Sequence, residues 1–232
     1  MKQQVAAALA KRVSDGDVLG VGSGSTTELA IKAIGERIST EGISVGAVAT
    51  SYRSAQLASQ VGMALIEPTS GLNISWAFDG ADEVDPQLNL LKGRGAAMLG
   101  EKIVAKLSPK FIVIVTGEKL VGNLGENFSV PVEIIPSSIR LVERELAQLG
   151  AADVVLRQAV NKYGPVVTEH GNHVLDARFS KIERDLECGI NCIPGVVENG
   201  LFFDCCDEVL VAEENGLSSL TRGKSGVIRA LL

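Results

Sequence analysis

The chain has 232 residues, a net charge of -6 and a composition that is 46% hydrophobic but only 4% aromatic. A chain of this length and apolar content can bury one large core or two modest ones. The negative charge argues against a nucleic-acid-binding protein, because such proteins need a basic surface to neutralise phosphates. No apolar run approaches the roughly 18 residues that cross a bilayer, and the amphipathic N-terminus lacks the apolar segment of a secretory signal. We therefore expect a cytoplasmic protein that neither spans a membrane nor binds nucleic acid.

Strand-like and helix-like segments alternate through the first half of the chain. Short apolar runs bounded by glycine or polar residues predict strands, and segments with helical periodicity follow them. This order predicts an α/β fold with a Rossmann-like parallel sheet and helices on both faces. The predicted strands are DVLGVG, ISVGAVAT, ISWAFDG and FIVIVTG, and the predicted helices are MKQQVAAALAKRV, STTELAIKAIGERI, SYRSAQLASQVG and GAAMLGEKIVAKL.

The pattern changes after residue 128. RLVERELAQLG and KIERDLECG predict helices, whereas DVVLRQ and GPVVTEHGNHVLDARF predict strands, and a small α+β, ferredoxin-like domain fits this order. The apolar segment LFFDCCDEVLVAEE predicts a strand that returns to the first sheet. We therefore predict a Rossmann-like domain formed by residues 1–128 and 200–232, with residues 129–199 inserted as the small domain.

The cysteines show no paired C-x-x-C spacing, and two of them are adjacent, which does not suit one tetrahedral metal. We expect ordinary reduced thiols, consistent with the cytosol. These cysteines are Cys188, Cys192, Cys205 and Cys206.

A glycine-rich turn, GVGSGST at residues 20–26, joins the first sheet strand to the helix that follows. Backbone N–H groups at such a helix N-terminus can bind an anion, and the turn adds hydroxyl groups. The glycine spacing departs from the dinucleotide-binding pattern, and the second strand ends in Thr50 and Ser51 instead of a carboxylate, so a nicotinamide nucleotide is disfavoured. Two interpretations remain, a phosphate site or a tight turn in which Ser25 caps the helix. The second hydroxyl-rich strand end favours phosphate.

Four carboxylates follow the strand ISWAF, in the segment DGADEVD at residues 79–85. A solvated acidic turn and a divalent metal site of oxygen ligands are both open interpretations of this cluster. The next turn, KGRGA at residues 92–96, carries two cations, Lys92 and Arg94, each followed by a glycine. The acidic cluster, the cationic turn and the hydroxyl-rich turn together predict a site for a phosphorylated polyol at the carboxyl edge of the sheet.

Glu101 lies in a helix that we expect to begin near Gly95, about 9 Å from that start at 1.5 Å per residue. The pattern alone predicts a surface position for Glu101 and the adjacent Lys102. Lys119 follows the strand FIVIVTG, and the pattern fits either a surface position or a position in the site.

These motifs together resemble the type A ribose-5-phosphate isomerase family. The matching segments are GVGSGST, TSYRS, DGADEVD, KGRGAAM followed by EKIVA, TGEKLVGNLG, PVEIIP and IPGVVENGLF, in order over nearly the whole chain. Arg94 stands where many members have glycine, and Gly100 replaces an arginine or other polar residue, so no substrate contact is expected from position 100. The resemblance implies the substrate-binding residues Ser23, Gly24, Ser25, Thr26, Asp79, Gly80, Ala81, Asp82, Lys92, Gly93, Arg94, Gly95 and Lys119.

The resemblance also implies the reaction, an aldose-ketose isomerisation between ribose 5-phosphate and ribulose 5-phosphate in the pentose phosphate pathway. On this basis Glu101 is the general base that moves a proton between carbons 1 and 2, and Lys92 stabilises the enediolate oxygen. Asp79 serves ring opening and proton transfer between hydroxyls, while Asp82 orients the substrate or Lys92. No cofactor and no metal are required.

Other points stay open in the sequence. The phosphate end has two candidate pockets, the hydroxyl-rich helix N-terminus or Lys2 together with the Arg94 turn. The resemblance implies a homodimer or a tetramer. Three alternative functions remain open: a coenzyme A transferase, a sugar-phosphate deaminase and a non-catalytic sugar-phosphate sensor domain.

Overall fold

A computed structural model describes residues 1–71, 73–223 and 226–232 of the chain. The α-helices of this part are α1 (Lys2–Ala10), α2 (Ser25–Glu41), α3 (Tyr52–Gln60), α4 (Met98–Leu107), α5 (Ile139–Gln148) and α6 (Asp185–Asn191). The strands are β1 (Val18–Val21), β2 (Gly46–Ala49), β3 (Ala64–Leu65), β4 (Trp76–Asp79), β5 (Glu83–Val84), β6 (Leu90–Leu91), β7 (Phe111–Thr116), β8 (Val130–Ile134), β9 (Ala151–Leu156), β10 (His173–Phe179), β11 (Val196–Asn199), β12 (Leu201–Phe202), β13 (Glu208–Glu213), β14 (Gly216–Gly223) and β15 (Gly226–Leu231). Short 3-10 helices span Pro68–Ser70, Gly117–Lys119 and Pro136–Ser138.

The largest sheet confirms the predicted Rossmann-like arrangement and extends it. Its strand order is β15-β14-β13-β7-β4-β1-β2-β3. The strands from β13 to β3 are parallel. The segment that was predicted to return to this sheet does so as β13, which pairs with β7. The hairpin of β14 and β15 was not anticipated, and its antiparallel pairing makes the sheet mixed.

Helices cover both faces of this sheet. Alternate residues of β7 point into two cores because side chains alternate along a strand. Ile112 and Ile114 pack in the core that α1, α2 and α3 share, whereas Val113 and Val115 pack in the core that contains α4. The parallel strands consequently present their carboxyl ends, and the loops that follow them, at one edge of the sheet.

The second half of the chain forms a four-stranded antiparallel sheet with the order β11-β8-β10-β9. Its chain order is β8-α5-β9-β10-α6-β11, which is the ferredoxin-like arrangement that we predicted. Val132, Val142 and Leu146 are buried in its core. The division into two domains at residues 129 and 199 stays a prediction.

A third sheet has the order β12-β6-β5 and is antiparallel. It places the segment before β12 against the cationic turn, where the N–H of Lys92 donates to the carbonyl of Gly200 at 2.9 Å. A Cβ at Gly200 would lie 2.2 Å from the carbonyl oxygen of Lys92, so this contact requires glycine.

Helix α4 begins at Met98, not near Gly95 as predicted. The reason is the backbone of the turn, in which Gly93 and Ala96 both have positive φ, at 102° and 59°, a conformation that no right-handed helix contains. The N–H of Glu101 donates to the carbonyl of Ala97 at 3.0 Å. Glu101 therefore lies in the first turn of α4 and not about 9 Å along it as predicted.

Gly100 allows the first turn of α4 to approach the end of β2. A Cβ at this position would lie 2.5 Å from the carbonyl oxygen of Thr50, which explains why no larger residue occupies it. We expect Gly100→Ala to lower the free energy of unfolding by about 1–3 kcal/mol, because the helix must shift to relieve the contact. Urea denaturation measures this loss.

The matched control is Gly189→Ala in α6, where the new Cβ would make ordinary contacts of 3.7 Å with Leu149. Alanine at that helical position is expected to be neutral or stabilising by up to about 1 kcal/mol. A Gly100→Ala variant as stable as wild type would contradict the close approach.

Candidate active site

A buried lysine lies between two buried carboxylates where the carboxyl end of β4 faces α4. Lys92 Nζ lies 3.0 Å from Asp79 Oδ2 and 3.3 Å from Glu101 Oε2. Asp79, Lys92 and Glu101 are only 1%, 3% and 5% exposed, so water screens these charges weakly. Lys92 Nζ also donates to the carbonyl of Gly80 at 2.5 Å. The expectation of a surface position for Glu101 and Lys102 was wrong, since both are buried.

The two carboxylates are held differently. Asp79 Oδ1 accepts hydrogen bonds from the N–H groups of Ser23 at 2.9 Å and Gly80 at 2.7 Å. Glu101 Oε2 is buried and accepts no hydrogen bond from any described residue, because Lys92 is in ion-pair contact without hydrogen-bond geometry. Asp79 Oδ2 also accepts no hydrogen bond from a described residue, but Glu101 lines the cavity described below and Asp79 does not. Glu101 is thus the carboxylate whose free oxygen a ligand can reach.

The protonation of this cluster follows from burial and charge. Burial, reinforced by the negative charge of Asp79, raises the pKa of Glu101 to about 8. Burial also raises the pKa of Asp79, while Lys92 and the two N–H groups oppose that rise. Burial alone would lower the pKa of Lys92, but the carboxylates of Asp79 and Glu101 outweigh it and raise that pKa above its ordinary value. Lys92 therefore stays cationic at neutral pH, while Glu101 is poised between its acid and base forms.

Lys92 and Glu101 line a cavity of about 310 Å³, large enough for a small polar ligand. The glycine-rich turn and the cationic turn both contribute residues to its lining. Asp79 lies behind Lys92 and is absent from the described lining. The structure brings the following predicted site residues together around the cavity: Ser23, Gly24, Ser25, Thr26, Gly80, Ala81, Asp82, Lys92, Gly93, Arg94, Gly95, Glu101 and Lys119.

The glycine-rich turn packs directly on Asp79. A Cβ at Gly22 would lie 2.0 Å from Asp79 Cγ, so the turn can approach the carboxylate only because this residue is glycine. Gly24 precedes α2 with a φ of 120°, which also favours glycine. Ser25 is the first residue of α2, and no described side chain caps this helix, so the interpretation of Ser25 as a cap was wrong. The first N–H groups of α2 are left facing the cavity.

The hydroxyl-rich strand end supports this turn from behind. Ser23 Oγ lies 3.0 Å from Thr50 Oγ1 and donates to Ser51 Oγ at 2.6 Å. Ser51 in turn caps α3 through the N–H of Ser54. The hydroxyl of Ser23 is consequently engaged within the protein, although Ser23 is one of the residues that line the cavity.

Three cations line the cavity in addition to Lys92, namely Lys2, Arg94 and Lys119. Lys2 Nζ donates to Ser25 Oγ at 2.9 Å. Lys2 therefore lies at the start of α2, and the two pockets that the sequence left open for a phosphate line a single cavity.

The four carboxylates of the acidic turn do not converge. Asp82 Oδ2 accepts from the N–H of Arg94 at 3.1 Å, Glu83 binds the backbone of residues 125–128, and Asp85 closes its own turn through Asn89. Within the described ranges no three His, Cys, Asp or Glu side chains are grouped to hold a metal ion. The solvated interpretation also fails for Asp79 and Glu83, which are buried.

Several residues around the site were not singled out from the sequence. Phe202 is buried with its ring 5.7 Å from Lys92 Nζ on one side and 4.7 Å from Lys102 Nζ on the other. Lys102 pairs with Glu187 at 2.7 Å and Glu198 at 2.8 Å, which ties α4 to α6 and β11. The sequence signal for Lys102, Glu198 and Phe202 was their position within the matching motifs EKIVA and IPGVVENGLF, and Glu187 lies outside both motifs.

No helix in residues 1–71, 73–223 and 226–232 has both the length and the apolar character of a membrane span. The four cysteines are present as free thiols, two of them exposed.

Comparison with known proteins places this geometry in a family. The sequence profile of ribose 5-phosphate isomerase A (phosphoriboisomerase A) matches residues 46–216. Ribose-5-phosphate isomerase A of Trichormus variabilis is 46% identical over 225 residues, which cover 96% of this chain and 95% of that protein. The protein of the same name from Methanothermobacter thermautotrophicus is 45% identical over 222 residues, covering 95% and 97%.

Solved structures agree with these relatives. Ribose 5-phosphate isomerase A from Methanocaldococcus jannaschii superposes with a TM-score of 0.88 at 41% identity, covering 100% of this chain and 98% of that one. A D-ribose-5-phosphate isomerase in complex with phospho-erythronic acid gives a TM-score of 0.91 at 42% identity, covering 95% and 98%. The chain therefore belongs to the ribose 5-phosphate isomerase A family, a family of isomerases.

Proposed function

We propose that this protein interconverts D-ribose 5-phosphate and D-ribulose 5-phosphate through an enediolate. The observation that carries the proposal is the buried Glu101, with a free carboxylate oxygen beside Lys92, at a cavity that three cations surround. Such a site matches a substrate with a reactive carbonyl at one end and a phosphate at the other. Membership of the family supports the same reaction.

Glu101 is the proposed base. It removes the proton from carbon 2 of the open-chain aldose and returns it to carbon 1, while one hydroxyl proton moves from the oxygen on carbon 2 to that on carbon 1. The negative charge that develops on the enediolate oxygen is stabilised by Lys92, which stays cationic and is fixed by Asp79 and Gly80. The stabilisation by Lys92 is thus strongest during the reaction, when the oxygen carries negative charge.

The proposed roles of the two aspartates differ. Asp82 lines the cavity and is proposed to orient the sugar hydroxyls. Asp79 contacts Lys92 and the backbone of Ser23 and Gly80. We therefore propose that Asp79 does not transfer hydroxyl protons directly but assists that transfer by holding Lys92 in place.

The phosphate end is proposed to lie at the N-terminus of α2, where Lys2 and Ser25 meet. Uncapped N–H groups and the helix dipole favour an anion there. Arg94 and Lys119 supply further positive charge at the same cavity.

The direct test is a coupled assay for ribulose 5-phosphate formed from ribose 5-phosphate by the purified protein. We expect turnover without added nucleotide or metal and in the presence of a chelator. Absence of turnover, with ribose 5-phosphate bound but unchanged, would instead indicate a sensor of sugar phosphates. Activity lost on chelation would contradict the proposal that no metal takes part.

The pH dependence of kcat/KM tests the protonation of Glu101. A base must be deprotonated before it can accept the carbon-bound proton, and the pKa of Glu101 is raised to about 8. We therefore expect kcat/KM to rise about tenfold per pH unit up to pH about 8 and then to level off. A profile that is flat between pH 6 and 9 would contradict this assignment.

Assembly and location stay predictions. We propose a homodimer in the cytoplasm, on the basis of the family resemblance. Light scattering after size-exclusion chromatography measures the molar mass in solution and hence the number of subunits.

A further inference from the structure

The ring of Phe128 lies against two of the cations that line the cavity. Its centroid is 4.3 Å from Arg94 Cζ and 5.5 Å from Lys119 Nζ. Arg94 comes from the turn before α4, and Lys119 ends the 3-10 helix after β7. One aromatic ring thus contacts two like charges that reach the cavity from separate segments of the chain.

The position of Phe128 is fixed by a buried carboxylate of the acidic turn. Glu83 is fully buried, and its oxygens accept hydrogen bonds from the N–H groups of Gly125 at 2.5 Å, Asn127 at 2.6 Å and Phe128 at 3.0 Å. A carboxylate with three backbone donors is well satisfied and holds that loop in one conformation. The Phe128 side chain also packs against the core of the small sheet. These contacts make the ring a rigid support and not a mobile surface residue.

A rigid ring can restrict two cationic side chains that would otherwise sample many conformations in solvent. The negative face of an aromatic ring attracts a guanidinium or an ammonium group within about 6 Å, and Lys and Arg side chains lose much conformational freedom when they are held in one place. Arg94 is exposed and Lys119 is partly exposed, so neither is confined by burial. The described contacts of both side chains converge on Phe128.

We infer that Phe128 is a positioning residue that holds Arg94 and Lys119 at the cavity and thereby determines affinity for the anionic end of the substrate. This inference rests on the proposed function only in taking that anion to be the phosphate of a sugar phosphate. Phe128 acts through the two cations, because it does not itself line the cavity within the described residues. Glu83 accordingly supports binding of the substrate anion by holding Phe128 in position. Its role in the acidic turn is therefore structural and not catalytic.

The test compares Phe128→Leu and Phe128→Met, which remove the aromatic face, with Phe128→Tyr, which keeps it. We expect either truncation to raise KM for ribose 5-phosphate about 3- to 10-fold while kcat stays within about 2-fold. The inhibition constant of inorganic phosphate should rise by the same factor, and Phe128→Tyr should restore both values. The second truncation keeps the test informative where leucine impairs folding.

Phe179→Leu is the matched control, since Phe179 is buried in the same small-sheet core and its ring faces no cation in the described chain. It should lower stability without changing KM. A double-mutant cycle adds Arg94→Gln and Lys119→Gln, in whose presence Phe128→Leu should have no further effect on KM.

An unchanged KM in both truncations, a loss of kcat without a change in KM, or an equal rise in KM for Phe179→Leu would each overturn the inference. Calorimetric titration with inorganic phosphate separates it from the proposed function. Weaker phosphate binding by the truncations would support the role of Phe128 even in a protein that failed to isomerise ribose 5-phosphate.

Discussion

Glu101→Gln is expected to lower kcat by about 10³-fold or more, because glutamine keeps the shape of the side chain but cannot accept the proton from carbon 2. The substrate contacts of the cationic residues remain, so KM should change little. Initial rates from the coupled assay, with KM and kcat separated, measure both effects. Turnover within a few-fold of wild type would remove Glu101 from the mechanism.

The same variant should be more stable than wild type at alkaline pH. The folded protein raises the pKa of Glu101 from 4.5 to about 8, so the carboxyl group favours folding below its unfolded pKa, and this contribution is lost as pH rises through about 8. Glutamine has no such dependence. We expect the variant to gain roughly 3–4 kcal/mol over wild type in the free energy of unfolding between pH 5 and 9, because each pKa unit corresponds to about 1.4 kcal/mol.

Glu133→Gln is the matched control for this substitution. Glu133 in β8 is also fully buried, and its Oε2, like Glu101 Oε2, accepts no hydrogen bond from a described residue. Its Oε1 accepts hydrogen bonds from Thr168 and Asn172, and Glu133 does not line the cavity. Its replacement should leave kcat within about 2-fold of wild type, because nothing reactive lies there. An equal loss of kcat in both variants would indicate that buried charge in general, and not base catalysis, explains the effect.

Lys92→Met is the second substitution with a large expected effect, because it leaves Asp79 and Glu101 buried together without a cation. We expect the free energy of unfolding at pH 8 to fall by about 3–5 kcal/mol. The loss should be smaller near pH 5, where both raised carboxyl pKa values favour the neutral forms. Urea denaturation at the two pH values measures the difference.

The kcat of Lys92→Met should fall at least 10²-fold under conditions where the variant is folded, because the proposed enediolate oxygen would lose its stabilising charge. Lys119→Met provides the contrast, since Lys119 is partly exposed. It should raise KM and change stability by only about 0.5 kcal/mol. A Lys92→Met variant that behaves like Lys119→Met would contradict the buried arrangement.

The sheet could be predicted from the sequence because parallel strands covered on both faces are continuous apolar runs. FIVIVTG is the clearest case, and all six residues of β7 are buried. The hairpin of β14 and β15 had no such signal, since Ser218, Ser219 and Arg222 interrupt its apolar pattern. The start of α4 was misjudged because nothing local marks Ala96 as a residue with positive φ; the surrounding fold imposes it.

The sequence indicated which residues form the candidate site but not which of them are buried. Glycine spacing and strand ends indicated which turns meet at the sheet edge. The burial of Glu101 depends on the approach of α4 to β2 at Gly100, and that approach involves residues far apart in the chain. The same limit applies to Glu83, whose three backbone partners lie more than 40 residues downstream. Sequence pattern alone could not separate it from its acidic neighbours.

Solvent exchange tests proton transfer by Glu101 most directly. Ribose 5-phosphate is incubated with the enzyme in D₂O near pD 8, and NMR follows deuterium entering carbon 1 of ribulose 5-phosphate and carbon 2 of ribose 5-phosphate. We predict incorporation with wild type and a rate at least 10³-fold lower with Glu101→Gln, because the carboxylate is the proposed acceptor of the carbon-bound proton. Exchange by Glu101→Gln within a few-fold of the wild-type rate would contradict the account.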